Sequence, residues 1–90
     1  METEAIVELI RKQEPERVDL IDQLRKQIKG SIDIKAYVQF VNSDKPNQKG
    51  SEWQFDENII LEHETEGTIV LDILKDGRIG GIEFINQIPD

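Results

Sequence analysis

The side chains with chemistry to offer are few. Most lie in the last third of the chain: Asp72, Asp76 and Glu83, preceded by a lone His63. Three acids in one stretch could ligate a hard cation, but the calcium-loop pattern of alternating acids, a glycine and a closing glutamate is absent. Asp76 precedes Gly77, a pair whose ordinary use is to turn the chain. His63 sits between Glu62 and Glu64 in a chain with no cysteine. An imidazole there could serve as a base or a ligand, yet strand alternation points both neighbouring carboxylates away from it. One histidine without a second histidine or a cysteine is a poor metal signal, so a structural role is expected. Two acids across a cleft would suit glycoside hydrolysis, but among nineteen acids such pairs arise by chance, and a chain this short rarely encloses the cleft. Ser31, Ser43 and Ser51 lack the Gly-x-Ser-x-Gly elbow of a nucleophile. Gly77, Gly80 and Gly81 lead into a strand rather than a helix N-terminus, so they make no phosphate loop. The expectation is no catalytic residue, no cofactor and no metal ligand.

The element that must position Asp72, Asp76 and Glu83 is a β-hairpin. Thr68–Leu74 and Ile79–Asn86 are apolar-rich runs joined by Lys75-Asp76-Gly77-Arg78. A two-residue Asp76-Gly77 loop sets Leu74 against Ile79, Ile73 against Gly80, Asp72 against Gly81, Leu71 against Ile82, Val70 against Glu83 and Ile69 against Phe84. Alternation then gathers Ile69, Leu71, Ile73, Ile82 and Phe84 on one apolar side, expected to lie under a helix. The other side holds Val70, Asp72, Leu74, Ile79 and Glu83. There, Val70, Leu74 and Ile79 are a candidate patch for a second copy. Asp72 and Glu83 lie close enough to repel unless a cation intervenes, whether Arg78, a partner's lysine or a metal. Gly80-Gly81 marks a bulge or the close approach of another backbone, and a bulge would shift the facing pairs.

Ahead of the hairpin the period changes twice. Ile6, Ile10, Val18, Ile21, Leu24 and Ile28 recur at helical spacing, with Gly30 placed to end the run and Pro15 to interrupt it. Either two helices (about 3–13 and 15–29) or one helix kinked near Glu14 is expected. Residues 31–42 alternate as a half-buried strand, and residues 43–50 read as an exposed loop. Trp53 and Phe55 suggest a short second strand, and residues 58–64 a third. Gly67 turns the chain, and residues 87–90 read as a tail. The fold class is α+β, as one domain of residues 1–90. An N-terminal helical segment (1–30) packs on a curved antiparallel sheet of four or five strands (31–86).

Charge supplies the functional reading. The formal net charge is −8, and the window 51–67 holds Glu52, Asp56, Glu57, Glu62, Glu64 and Glu66 with no lysine or arginine. Such a surface repels phosphate backbones and attracts a basic protein. Tyr37, Phe40, Trp53 and Phe55 could stack bases only among basic neighbours, so core packing is expected, with Trp53 also a candidate interface anchor. No apolar run approaches the ~20 residues that span a bilayer. The start of the chain has no signal-peptide pattern, and the absence of cysteine suits a reducing cytoplasm. The expectation is a non-catalytic acidic binding protein whose Trp53, Glu57, Glu62, Glu64 and Glu66 meet a basic protein partner, with no nucleic acid and no membrane. The alternatives are a homo-oligomeric module that pairs either through Val70, Leu74 and Ile79 or through the helices, and, least supported, a small enzyme or metal-binding domain.

The run from Gly67 to Asn86, with Asp76-Gly77-Arg78 followed by Gly81-Ile82-Glu83, resembles the C-terminal half of a family of small prokaryotic domains of unknown function. Members of that family end in a strand, an Asp-Gly-Arg turn and a Gly-Ile-Glu strand. The resemblance covers about residues 58–86. The family is mostly β and has no established catalytic residues, so none are carried over. This chain places a helical segment first and keeps only Ala36-Tyr37-Val38 as an echo of the family's opening strand. Some members are associated with genes for small toxin-like proteins, so an antitoxin-type role is what the resemblance implies.

Overall fold

The computed structural model describes residues 1–89. Its N-terminal segment is two helices, α1 (Thr3–Gln13) and α2 (Val18–Gln27). Helix α1 stops at Glu14 because Pro15 cannot continue the ladder and disfavours helical backbone just before it. Pro15-Glu16 forms a turn closed by Arg17 N–H to Glu14 O at 3.0 Å, which moves the start of α2 on to Val18. Val18, expected in the apolar stripe, is 57 % exposed as a result. The stripe that is buried comprises Ile6, Val7 and Ile10 on α1 and Leu20, Ile21 and Leu24 on α2. Gly30 adopts a positive φ past the second helix, and its carbonyl accepts from both the N–H (2.9 Å) and the hydroxyl (2.8 Å) of Thr3.

The sheet has four antiparallel strands: β1 (Tyr37–Gln39), β2 (Phe55–His63), β3 (Gly67–Leu74) and β4 (Ile79–Phe84), in the order β1-β4-β3-β2. It is open, with β1 and β2 at its edges. Both helices cover one face, where Ile59, Leu61, Ile69, Leu71, Ile73, Ile82 and Phe84 meet the helical stripes. The apolar side expected for the hairpin is therefore the buried one. The fold is α+β, as its periodicities indicate.

Two strand expectations need correcting. Residues 31–42 are not one strand, because only Tyr37–Gln39 pairs with β4. Ser31 instead bridges Glu2, and Ile32 donates to the carbonyl of Met1 at 2.7 Å, so the start of this run is used to tie down α1. At its far end Phe40 and Val41 both donate to the single carbonyl of Gly80, at 2.8 and 3.2 Å, which curls the chain out of register. The separate second and third strands are one nine-residue strand, β2, whose register slips between Phe55 and Glu57. Trp53 lies outside it. Ile85–Gln87 continues β4 as a 3₁₀ turn, and the part of the expected tail at residue 90 lies outside the described residues.

The hairpin turns through three residues rather than two. Leu74 N–H bonds to Arg78 O and Gly77 N–H to Leu74 O, each at 2.9 Å, and Gly77 has φ +89°. This is a type I turn closed by a left-handed glycine. The Asp76 carboxylate supports it by accepting the Arg78 N–H at 3.0 Å. The longer loop sets Ile73 against Ile79, and Gly80 is then left over as a bulge. The additional loop residue and the additional strand residue cancel. Asp72 still faces Gly81, Leu71 faces Ile82, Val70 faces Glu83 and Ile69 faces Phe84. Only Ile79 changes sides: it joins the helix-facing core and is fully buried.

A second, smaller cluster lies on the opposite face, where Trp53, Val41 and Leu74 pack together with Tyr37 against them. The consecutive glycines make room for these rings, not for a neighbouring backbone. A Cβ on Gly80 would come within 2.6 Å of the Trp53 ring, and one on Gly81 within 2.2 Å of the Tyr37 hydroxyl.

Candidate functional site

The acidic residues singled out from the sequence do not share one fate. Glu57 is taken by the protein itself: the Arg17 guanidinium grips both its oxygens, at 2.9 and 3.0 Å, and also bonds Asp19 at 3.1 and 3.2 Å. Trp53 is 8 % exposed and lies across Gly80, so it is a core residue and not an interface anchor. Glu52 reaches Arg78 at 3.3 Å, and Arg78 also holds Asp76 at 2.8 Å. Arg11 and Arg25 are likewise paired, with Glu8 and Glu4.

Glu62, Glu64 and Glu66 behave differently. Among the described residues no cation lies within ion-pair distance of any of them. The Glu62 carboxylate accepts only the Thr68 hydroxyl, at 3.0 Å. Glu64 and Glu66 stand on the β2–β3 turn, which Gly67 completes at φ +74°. His63 explains how that turn is held. Its Nδ1 accepts the backbone N–H groups of Thr65 (3.2 Å) and Glu66 (3.1 Å), so in this arrangement the ring's proton sits on Nε2. The lone histidine therefore caps a turn, as its structural reading expects. Among the described residues no three His, Cys, Asp or Glu side chains converge as a ligand set.

Beside this turn, a groove of about 400 Å³ runs between α1 and the end of β2, with Leu9 and Lys12 on one wall and Glu62 and Glu64 on the other. Gln13, the last residue of α1, closes it. Its side-chain amide donates to the carbonyl of Glu62 at 2.7 Å and accepts the Glu62 N–H at 2.8 Å. This fork occupies the outer edge of β2 as a neighbouring strand would. A matching fork exists across the molecule: Gln27, the last residue of α2, bonds both the carbonyl (2.7 Å) and the N–H (2.9 Å) of Ile79. Neither fork is legible from hydrophobic period, because a glutamine at a helix end reads only as a polar residue.

The oligomer patch expected from Val70, Leu74 and Ile79 is not on the surface. Ile79 lies beneath the helices, Leu74 is covered by Trp53 and Val41, and Val70 is 9 % exposed. The register error at the turn is the reason for Ile79, and the folding-over of the Val41–Trp53 loop is the reason for Leu74.

Asp72 and Glu83 do lie together, without the cation that their repulsion called for. Arg78 is engaged elsewhere. Asp72 is 6 % exposed, beside the Glu83 carboxyl and the Tyr37 phenol, which stands opposite Glu83 in the β1–β4 register. Burial, and then Glu83, push the Asp72 carboxyl up to about 7. A proton held by this pair does what the cation was expected to do. Burial and the two acids push the Tyr37 phenol up as well.

Among the described residues no helix is long and apolar enough to cross a membrane. No family model, curated protein or solved structure matches this chain.

Proposed function

We propose that this protein is a non-catalytic binding protein. It receives a basic protein partner on the anionic surface formed by the end of β2 and the β2–β3 turn, as an antitoxin or immunity protein receives its target. The observation that carries this reading is a local concentration of unpaired acids. Each arginine is already bonded to an acid, and Glu62, Glu64 and Glu66 fall within one five-residue stretch with no cation in ion-pair distance among the described residues. Uncompensated charge at a net −8 steers a cationic partner and speeds its arrival, an attraction that salt screens. Glu57 and Trp53 drop out of the proposed surface because intramolecular partners occupy them. A homo-oligomer through Val70, Leu74 and Ile79 has no exposed surface to use.

The test is affinity capture from the native host with the full chain and with a Glu62→Lys, Glu64→Lys, Glu66→Lys variant. A basic protein retained by the first and lost by the second is expected. Equal retention of every captured basic protein by both would overturn the reading.

A further inference from the structure

We infer that the free edge of β2 is a strand-addition site, and that its occupant is an extended basic segment of the partner. This inference rests on the functional reading above and names how contact is made. Glu62 presents its N–H and C=O away from β3, since the Gln13 amide reaches both from outside. Backbone direction in an antiparallel pair alternates with a period of two. Asn58 and Ile60, which face Asp72 and Val70 in the ladder, therefore also point their N–H and C=O groups outward. That is a row of two donors and two acceptors on an edge strand, with Gln13 closing the row at one end. A row of this kind is what an added strand pairs with.

The side chains beside the row define the occupant. Ile60 is 59 % exposed and Phe55 is 36 % exposed, both on the sheet face away from the helices. They offer apolar contact to alternate residues of an added strand. Asp56 lies at one end of the row and Glu62 and Glu64 at the other, so the remaining residues of the occupant should be lysine or arginine. A second copy fits poorly. Symmetric pairing of two β2 edges about Ile59 would set Asp56 of each chain opposite Glu62 of the other, and like charges directly opposite are destabilising.

The experiment uses the full chain and a synthetic peptide, Lys-Val-Lys-Val-Lys-Val-Lys, beside the same peptide N-methylated at every backbone amide, so that neither of its edges can donate. Methylation keeps the charge and removes the donors. Amide hydrogen exchange is read at Asn58 and Ile60. The expected result is rapid exchange in the free chain, about tenfold slowing with the first peptide, and none with the second. Equal slowing by both peptides, or by neither, overturns strand addition. So does slow exchange in the free chain with a dimer in sedimentation, since a second copy would then hold the edge. An Ile60→Pro chain supplies an independent arm. It loses an N–H that the fold does not use, so it should keep its circular dichroism and lose the slowing at Asn58. Failure of the functional reading looks different: Glu62→Lys with Glu64→Lys would leave the affinity of both peptides unchanged.

Discussion

Asp72 shows how much a single residue's surroundings decide. A strand position opposite glycine has no cross-strand side chain to shield it, and the sequence alone called for a cation there. The fold instead brings Tyr37 over Gly81, so the carboxyl is covered and keeps a proton near neutrality. This has a pH signature of definite sign. An acid whose folded pKa lies above its unfolded value (near 4) binds more protons in the native state between the two. Its stabilising contribution is complete below the unfolded value and is lost as pH rises to about 7. Glu4, Asp19 and Asp76 act in the opposite sense, since arginines hold the first two below the usual range, and the Arg78 backbone N–H and then its side chain do so for Asp76. A difference profile isolates Asp72. Asp72→Asn should be the more stable chain at pH 8 by roughly 1–2 kcal/mol, with the advantage fading by pH 4, in urea unfolding across that range. A difference that does not change with pH would mean that Asp72 binds its proton equally well in the native and unfolded chains.

At the scale of elements, what could be read in advance was what repeats. The helical stripes, the outer hairpin pairs and the buried side of β3 and β4 follow from periods of 3.6 and 2, and they appear where those periods place them. What could not be read is bonding that has no period. Residues 31–42 alternate well, yet the chain spends Ser31 and Ile32 on the start of α1 and bends at Phe40–Val41 around one carbonyl. The turn is one residue longer than its Asp-Gly pair indicates, because Asp-Gly serves two hairpin loops, and the bulge at Gly80 restores the register of every pair beyond it. In the candidate site, the anionic turn was legible from composition, whereas the capture of Glu57 by Arg17 joins residues forty apart and was not. The glutamine forks belong to the same class. The carbonyl and N–H of Ile79 lie where β1 no longer runs alongside β4, and Gln27 satisfies both. Gln27→Ala leaves them without those bonds next to a fully buried side chain, so it should cost about 1–3 kcal/mol in chemical denaturation. Gln13→Ala, at an exposed edge, should cost under about 1 kcal/mol, since water replaces the amide. Equal costs would mean that the forks do not pin the helices to the sheet in the way the geometry indicates.

Across the whole molecule, apolar surface is hidden on both faces of the sheet while anionic surface is left unbalanced. One face lies beneath two helices and part of the other beneath the Val41–Trp53 loop, so among the described residues the exposed large apolar side chains are Val18, Ile34, Phe55, Ile60, Ile85 and Ile88, of which Phe55 and Ile60 lie on β2. Charge is therefore the property that acts at long range, and it acts in two opposing ways. Within the folded chain a net −8 repels itself and lowers stability. Toward a cationic partner the same charge attracts. Salt screens both, with a Debye length of about 10 Å at 0.1 M. Raising sodium chloride from about 0.02 to 0.3 M should thus raise the Tm by a few degrees and weaken binding of a lysine-rich peptide in the same titration. Salt also strengthens apolar burial in general, so a control is needed. Glu62→Lys, Glu64→Lys, Glu66→Lys shifts the charge by two units at each site, from −1 to +1, and both responses should shrink together in that variant. A Tm response of unchanged size in the variant would assign the stabilisation to apolar burial, and the anionic turn would then carry no strain for a partner to relieve.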